Sequence, residues 1–446
     1  MRFLLSQMAA VTGGRLSGAD TEVRGMIHDA RQVVAGNLFC ALPGTRHDGH
    51  EFVAQARAAG AAAALVAQPV DDGLPQLVVA DVARAMGDIA RAWRRSLNVK
   101  VIGVTGSNGK TTVKEMLAAV LGRGAEVLAT EGNYNNELGV PLTLARLNEK
   151  HRHAVVEMGA SKPGDIAWLA DIARPDIGLV TNAAPAHLQG FASVEGVARA
   201  KGELFEALPD SGTAIINADD EHAPLWRRMA GERRTVTFGL ASGASVSGIL
   251  MRGVARMHTP AGDLEFNAAL PGRHNFCNAL AAAAAAVALD IPAEEIAAGL
   301  ASIHSLPGRL RVLAHAGGGR VIDDSYNANP GSLAAALSVL AEMPSDERWL
   351  VLGDMGELGS GDEQLHAAAG RTAREHGVDR FFGLGPLTEA SVAAFGPGGR
   401  HFDDMEALIG ALEQGFGSGV TVLIKGSRSM GMERVVERLA PREIAC

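Results

Sequence analysis

The sequence predicts an α/β protein of three domains: a small mixed N-terminal domain, a central domain on a parallel sheet, and a C-terminal Rossmann-like α/β domain. Three observations lead there. A chain of 446 residues exceeds what one hydrophobic core usually organises. From residue 99 onward, apolar strand candidates alternate with helical stretches, the pattern of a parallel sheet covered by helices. A turn at Pro307-Gly308-Arg309 interrupts that pattern, which then resumes over roughly 140 residues, an ordinary domain size. The expected divisions are therefore 1–97, 98–306 and 307–446.

The N-terminal part mixes short elements. Residues 4–11 have helical spacing, with Ser6 as the expected cap and Gly13-Gly14 as the stop. Residues 25–42 read as strand, turn and strand, followed by Asp48-Gly49-His50 and a helix over 53–59. No GxGxxG follows a strand here, which argues against a dinucleotide domain. In the centre, 99–104 is a strand and 110–120 a helix closed by Gly122 and Gly124. Residues 154–156, 177–181 and 213–217 are further strands. The alanine-rich run 279–289 is a buried helix, because a bilayer span needs about 20 apolar residues. In the last part, 321–324, 349–352, 381–384 and 420–424 are strands, each followed by a helix. Polar clusters sit at their carboxyl ends, where ligands gather in such sheets.

Composition narrows the function classes. A formal net charge of -9 and a pI near 5.9 argue against nonspecific binding to nucleic acid or anionic membranes. Cys40, Cys277 and Cys446 are far apart and form no CxxC, so neither a disulfide framework nor a zinc site is expected. The apolar start of the chain is broken at once by Ser6 and Gln7, unlike a signal peptide. A cytoplasmic, monomeric protein without membrane insertion is expected.

The strongest local signal is Gly106-Ser107-Asn108-Gly109-Lys110-Thr111-Thr112, set between a strand and a helix. Glycines let a loop curl so that backbone amides meet phosphate oxygens, a lysine adds a point charge, and a hydroxyl can face Mg²⁺. The helix behind it presents its positive end to the same anion. Val104 stands where the general motif has its first glycine. The central sheet is thus of P-loop ATPase type, and ATP is favoured over GTP because no Asn-Lys-x-Asp occurs. The loop alone leaves motor, switch, kinase and ligase open.

Longer segments carry a resemblance. Thr105 to Thr112 has the form found in the Mur ligases and folylpolyglutamate synthetases. The segments 131–143 (around Asn135 and Asn136), Glu157-Met158-Gly159-Ala160, 181–187, Asp324-Ser325-Tyr326-Asn327-Ala328-Asn329-Pro330, 352–359 and Lys425-Gly426-Ser427-Arg428-Ser429 follow in the family's order. The chain therefore resembles the Mur ligase family. Within it, the segments are most similar to the branch that joins D-alanyl-D-alanine to a UDP-N-acetylmuramoyl-tripeptide. The Asp-Asn-Pro-Arg motif of a sister branch is absent.

That resemblance implies ATP-dependent amide formation, in which a carboxylate is phosphorylated and an amine then displaces phosphate. It implies two Mg²⁺ ions: one at Thr111 and Glu157, a second at His187 and at Lys201, the lysine that the family carbamylates with CO₂. Lys110, Glu157, His187 and Lys201 are thereby the expected catalytic residues. Without the resemblance, Lys201 would read as one more lysine on a solvated helix face. The resemblance places Asn275 near the phosphates and Asn278 at adenine, helix capping being the alternative for Asn275. Arg309 and Asp324 would reach ATP from the last domain. Arg31, Asp48 and His50 would meet the UDP end of the substrate, although Ala30 stands where the family carries serine. Asn135, Asn136, Tyr326, Asn329, Lys425 and Arg428 are the remaining substrate candidates; Tyr134 and Tyr326, both within these motifs, are the chain's two tyrosines.

Overall fold

In the computed structural model the described residues are 1–441 except 45, 46, 186, 187, 242 and 360. The centre is a six-stranded sheet in the order Arg234–Phe238, Thr213–Asn217, Ile177–Val180, Lys100–Thr105, His151–Glu157, Glu126–Ala129, all parallel. Both its faces are covered, so its inner strands read as apolar runs rather than alternations. Helix Lys110–Leu121 packs on one face beside Arg273–Ala288, whose run Leu280 to Ala286 is fully buried. Alanine suits that place because small side chains let the helix approach its neighbours closely.

An antiparallel sheet of Ser247–Met251, Val254–Thr259 and Gly262–Asn267 covers the other side of that helix, and the sequence reading did not contain it. Its middle strand alternates, with Ala255 and Met257 inward and Arg256 and His258 exposed. So few apolar residues per strand give a weak signal.

The C-terminal sheet runs Arg311–Ala314, Arg320–Asp324, Val420–Lys425, Glu347–Gly353, Arg380–Leu384, Gly399–Phe402; its first strand is antiparallel and the rest are parallel. The N-terminal part holds a five-stranded sheet and a two-stranded pair. Within 25–42 the strands Met26–Ile27 and Leu38–Cys40 pair in parallel, separated by a short helix Ala30–Gln32. Ser6 does not cap the first helix, Leu5–Thr12; its amide and hydroxyl both bond Asp20, and Gln7 reaches back to the Leu4 amide. Among the described residues, no helix is long and apolar enough to cross a membrane.

The N-terminal and central parts share one core. Met86, Ile89 and Ala90 of helix Val82–Arg95 lie in the same apolar cluster as Ile166, Leu169 and Ile172 of helix Asp165–Ala173. Arg94, nearly buried at this contact, donates to the carbonyls of Ala173, Leu97 and Arg174 and to the Asp176 carboxylate. Replacement by methionine keeps much of the packing but strips these acceptors. Arg94→Met is expected to lower stability by about 2–3 kcal/mol in denaturant titration; a variant as stable as the parent would show that the contact is held by apolar packing alone.

Candidate active site

The buried strand Lys100–Thr105 ends in a loop that only glycine can make. Gly106 has φ +144°, and a Cβ there would lie 1.9 Å from the Thr181 hydroxyl. Gly109 has φ +82°, and a Cβ would lie 2.3 Å from the Asn278 amide oxygen. The neighbouring segment zips to the loop. Ser107 N–H donates to the Asn182 carbonyl and Asn108 N–H to the Asn182 side chain, while Thr181 and Asn182 donate back to the Asn108 carbonyl.

The amides of Ser107 and Asn108 are used internally. Those of Gly109, Lys110, Thr111 and Thr112 have no acceptor among the described residues. They form the open N-terminal turn of helix Lys110–Leu121, which is an anion site by construction. The Lys110 ammonium lies over the loop, donating to the Gly106 and Ser107 carbonyls at 2.7 and 3.3 Å. Burial lowers its pKa, and the Glu157 carboxylate opposes that shift.

A cleft of about 880 Å³ opens in front of this loop, walled by the C-terminal domain. Glu157, the last residue of its strand, is 2% exposed rather than a surface carboxylate. Its Oε1 accepts from Asn135 at 2.8 Å, its amide donates to the Thr130 hydroxyl, and its buried Oε2 has no partner among the described residues. A buried carboxylate oxygen left unpaired is costly unless a cation meets it. Glu157 with the Thr111 hydroxyl thus fits a hard divalent cation such as Mg²⁺. No group of three His, Cys, Asp or Glu that could hold a metal occurs among the described residues, so such an ion would complete its shell with substrate oxygens or water. Asn135, expected at the substrate, lines the cleft and also orients Glu157. Asn136 accepts from the Gly139 amide at the start of helix Gly139–Ala145 and lines the cleft.

Lys201 is not on a solvated face. It is 2% exposed on helix Val194–Glu206, and its ammonium has no hydrogen-bond or ion-pair partner among the described residues. The Phe191 ring lies 5.7 Å away. Burial, and then the charge of Lys110, push its pKa down to about 7, with Asp165 and Glu203 pulling the other way. His187 lies outside the described residues.

At the far wall, Asn275 does not cap its helix, since Gly272 occupies that position. Its amide donates to the Pro271 carbonyl and its oxygen accepts from Asn278. His274 beside them is held neutral by burial and the charge of Lys425, its pKa pushed down to about 4.

The C-terminal domain contributes through its hinge. Gly308 and Leu310 both have positive φ, +71° and +53°. Asp323 accepts from the Gly308 amide and Asp324 from the Leu310 amide, fixing Arg309 between them. Arg309 stacks on Tyr326, 4.2 Å from the ring centroid, and donates to the Thr111 hydroxyl at 3.1 Å. Asp324 and Lys425, opposite each other on adjacent strands, pair in the interior, with Lys425 also donating to the Asn327 carbonyl. The Asp324 carboxyl is raised by burial, against the pull of Lys425. These two side chains, expected at ATP and at the acceptor, are engaged with each other at the cleft wall. Asn329 caps helix Pro330–Glu342 and donates to Asn108 at 2.8 Å, touching the phosphate loop rather than open space. Arg428 pairs with Glu433 and lies 5.8 Å from the Tyr326 ring.

Two N-terminal candidates are corrected. His50 bonds Asp48 through Nδ1 and accepts the Ala67 amide through Nε2, so both nitrogens are spent inside the domain. Asp48 caps the short helix Gly49–Phe52 as well. Arg31 is highly exposed and clamped two-pronged by Asp29.

These features define a phosphate-loop protein whose anion site is closed by a second α/β domain. Sequence comparison agrees across the length. The Mur ligase catalytic domain matches residues 22–94, the Mur ligase middle domain 104–286, and the Mur ligase glutamate ligase domain 308–428. The UDP-N-acetylmuramoyl-tripeptide--D-alanyl-D-alanine ligase of Escherichia coli is 44% identical over 98% of both chains. A crystal structure of MurF from Acinetobacter baumannii superposes with TM-score 0.91 at 35% identity, covering 98% of this chain and 99% of that one. MurF from Thermotoga maritima in complex with ADP superposes at 0.83 with 28% identity, covering 94% and 97%. The chain belongs to the Mur ligase family, with its three-domain fold.

Lys201 makes stability pH-dependent in a defined direction. Its folded pKa, about 7, is below the ordinary 10.5. Between those values the unfolded chain holds a proton that the folded chain lacks, so folding stability rises with pH across the window. In degassed buffer, Lys201→Met is expected to be more stable than the parent, by on the order of 4 kcal/mol near pH 7. The gap should close toward pH 10.5. Denaturant curves that stay parallel across this range would contradict the buried, unpaired amine.

Proposed function

We propose that the protein joins D-alanyl-D-alanine to UDP-N-acetylmuramoyl-tripeptide at the expense of ATP, releasing ADP and phosphate. The observation that carries this reading is end-to-end similarity to a relative of that name at 44% identity, with the phosphate loop at the junction of two domains. In this reading residues 1–97 hold the UDP-linked substrate, 98–306 hold ATP, and 307–446 bring the dipeptide amine. The enzyme works as a cytoplasmic monomer without nucleic acid.

The chemistry needs an anion to attack an anion. A carboxylate oxygen attacks the γ-phosphorus and ADP leaves; the amine nitrogen then attacks the acyl carbon, forming the amide, expelling phosphate and giving up a proton. The amides of Gly109 to Thr112 and the Lys110 ammonium hold the phosphates, so that charge developing in transfer meets fixed dipoles. Asn275, Asn278 and Arg309 complete the nucleotide walls. Glu157, oriented by Asn135, and Thr111 would hold Mg²⁺, which supplies charge neutralisation between the two anions. With its pKa pushed down to about 7, a substantial share of Lys201 is the free amine near neutral pH, the form that adds CO₂ to give a carbamate and a proton. The carbamate would be an anionic ligand able, with His187, to hold a second Mg²⁺. Asn136, Tyr326 and Arg428 face the substrates, and Arg31 is the remaining N-terminal candidate. Lys425 and Asp324 act as a pair that sets the hinge, and Asn329 links that domain to the loop.

ATP turnover should require UDP-tripeptide and D-alanyl-D-alanine together; AMP and pyrophosphate as products would exclude an acyl phosphate. Glu157→Gln removes one charge and keeps the shape, and should slow turnover by ~10²-fold or more. Lys201→Ala should be inactive yet partly restored by acetate at constant ionic strength, while Lys201→Arg should be as inactive as alanine. An active arginine variant would rule out the carbamate.

A further inference from the structure

The chain has four tryptophans, and three are anchored. Trp93 donates its indole N–H to the Leu147 carbonyl, Trp226 to the Ala198 carbonyl, and Trp349 to the Glu347 carboxylate. Trp168 alone has no acceptor among the described residues. It is half-buried on helix Asp165–Ala173 and lines the large cleft. A partly buried indole without a partner has its polar edge free for a ligand.

Its seat comes from the N-terminal part. Helix Val82–Arg95 places Gly87 against it, where a Cβ would lie 3.2 Å from the indole Cζ2 and 3.0 Å from Ile172. The Arg84 guanidinium sits 5.7 Å from the ring centroid and has no carboxylate partner among the described residues. The ring is therefore held where the N-terminal part meets the cleft. Asp165, at the start of the same helix, also lines the cleft and acts on buried Lys201.

A substrate with its nucleotide on the N-terminal domain and its reacting carboxylate at Lys110 and Glu157 has to cross this junction with the segment between. In a UDP-N-acetylmuramoyl-tripeptide that segment begins with an uncharged N-acetyl sugar and the amide joining it to the peptide, whose far end carries the reacting carboxylate. We propose that Trp168 is the platform for this arm, its face against the sugar C–H groups and its N–H donated to a carbonyl of the arm. This rests on the function proposed above. It assigns a specificity residue on the UDP-substrate side of the cleft, and none to ATP.

The test compares wild type, Trp168→Phe and Trp168→Leu, titrated with UDP-tripeptide in the absence of ATP. Binding is followed by calorimetry and by tryptophan emission. Wild type should show a saturable emission change. Trp168→Phe should lose that change while binding within about threefold of wild type, because a face remains. Trp168→Leu should bind about tenfold more weakly, the upper range for one aromatic contact. Affinity of the leucine variant for a non-hydrolysable ATP analogue should match wild type, which a general loss of structure would not allow. A full emission change in Trp168→Phe, an unaltered UDP-tripeptide affinity in Trp168→Leu, or an equal loss of ATP-analogue affinity would each overturn the platform. Failure of wild type itself to bind UDP-tripeptide would instead overturn the functional reading on which it rests.

Discussion

Lys201 is buried and Lys110 half-buried on the cleft, and the charge of Lys110 adds to burial in lowering the pKa of Lys201. The rest of the site follows from that crowding. Like charges in a poorly solvated interior are tolerated only if one is neutral or if anions arrive. Glu157 opposes the lowering of the Lys110 pKa, and Lys110 donates to its own loop carbonyls, whereas Lys201 has no such partner among the described residues and its pKa is pushed down to about 7. The half-satisfied Glu157 is the counterpart: one oxygen is fixed by Asn135 and the other awaits a cation.

The same loop joins the C-terminal domain. Thr111 meets Arg309 and Asn108 meets Asn329, so these two hydrogen bonds from the last domain end on the glycine loop and the first turn of its helix. The hinge behind Arg309 is stiffened by consecutive aspartates, each taking one hinge amide, with Lys425 compensating the inner one. Occupancy of the loop and the pose of the last domain are therefore coupled through a few polar contacts, whereas the N-terminal part is joined through a continuous apolar core and Arg94. Domain motion, where it occurs, belongs at 307–310.

Much of this was legible because it is local. The strand, glycine loop and helix around Gly106 to Thr112 follow one another without a break from Lys100 to Leu121, and hydrophobic runs mark both parallel sheets. The weakly patterned sheet from Ser247 to Asn267 was not, since half of each strand faces solvent. His50 and Asp48 were misread for a related reason: their partners, each other and the Ala67 amide, depend on a turn that spacing does not describe.

The chain's own order of residues determined the fold class, the phosphate loop and the family, because each rests on contiguous segments whose local chemistry is self-sufficient. Tertiary structure decided what the charges do. Lys201 looks solvated on its helix, and only packing against Phe191 beside Lys110 makes it an unpaired amine. Asn135 becomes an orienting group, Asp324 and Lys425 become partners, and Trp168 becomes a free edge on a cleft, through contacts with residues far along the chain. Desolvation and pairing are properties of a place, and no residue carries them in its sequence position alone.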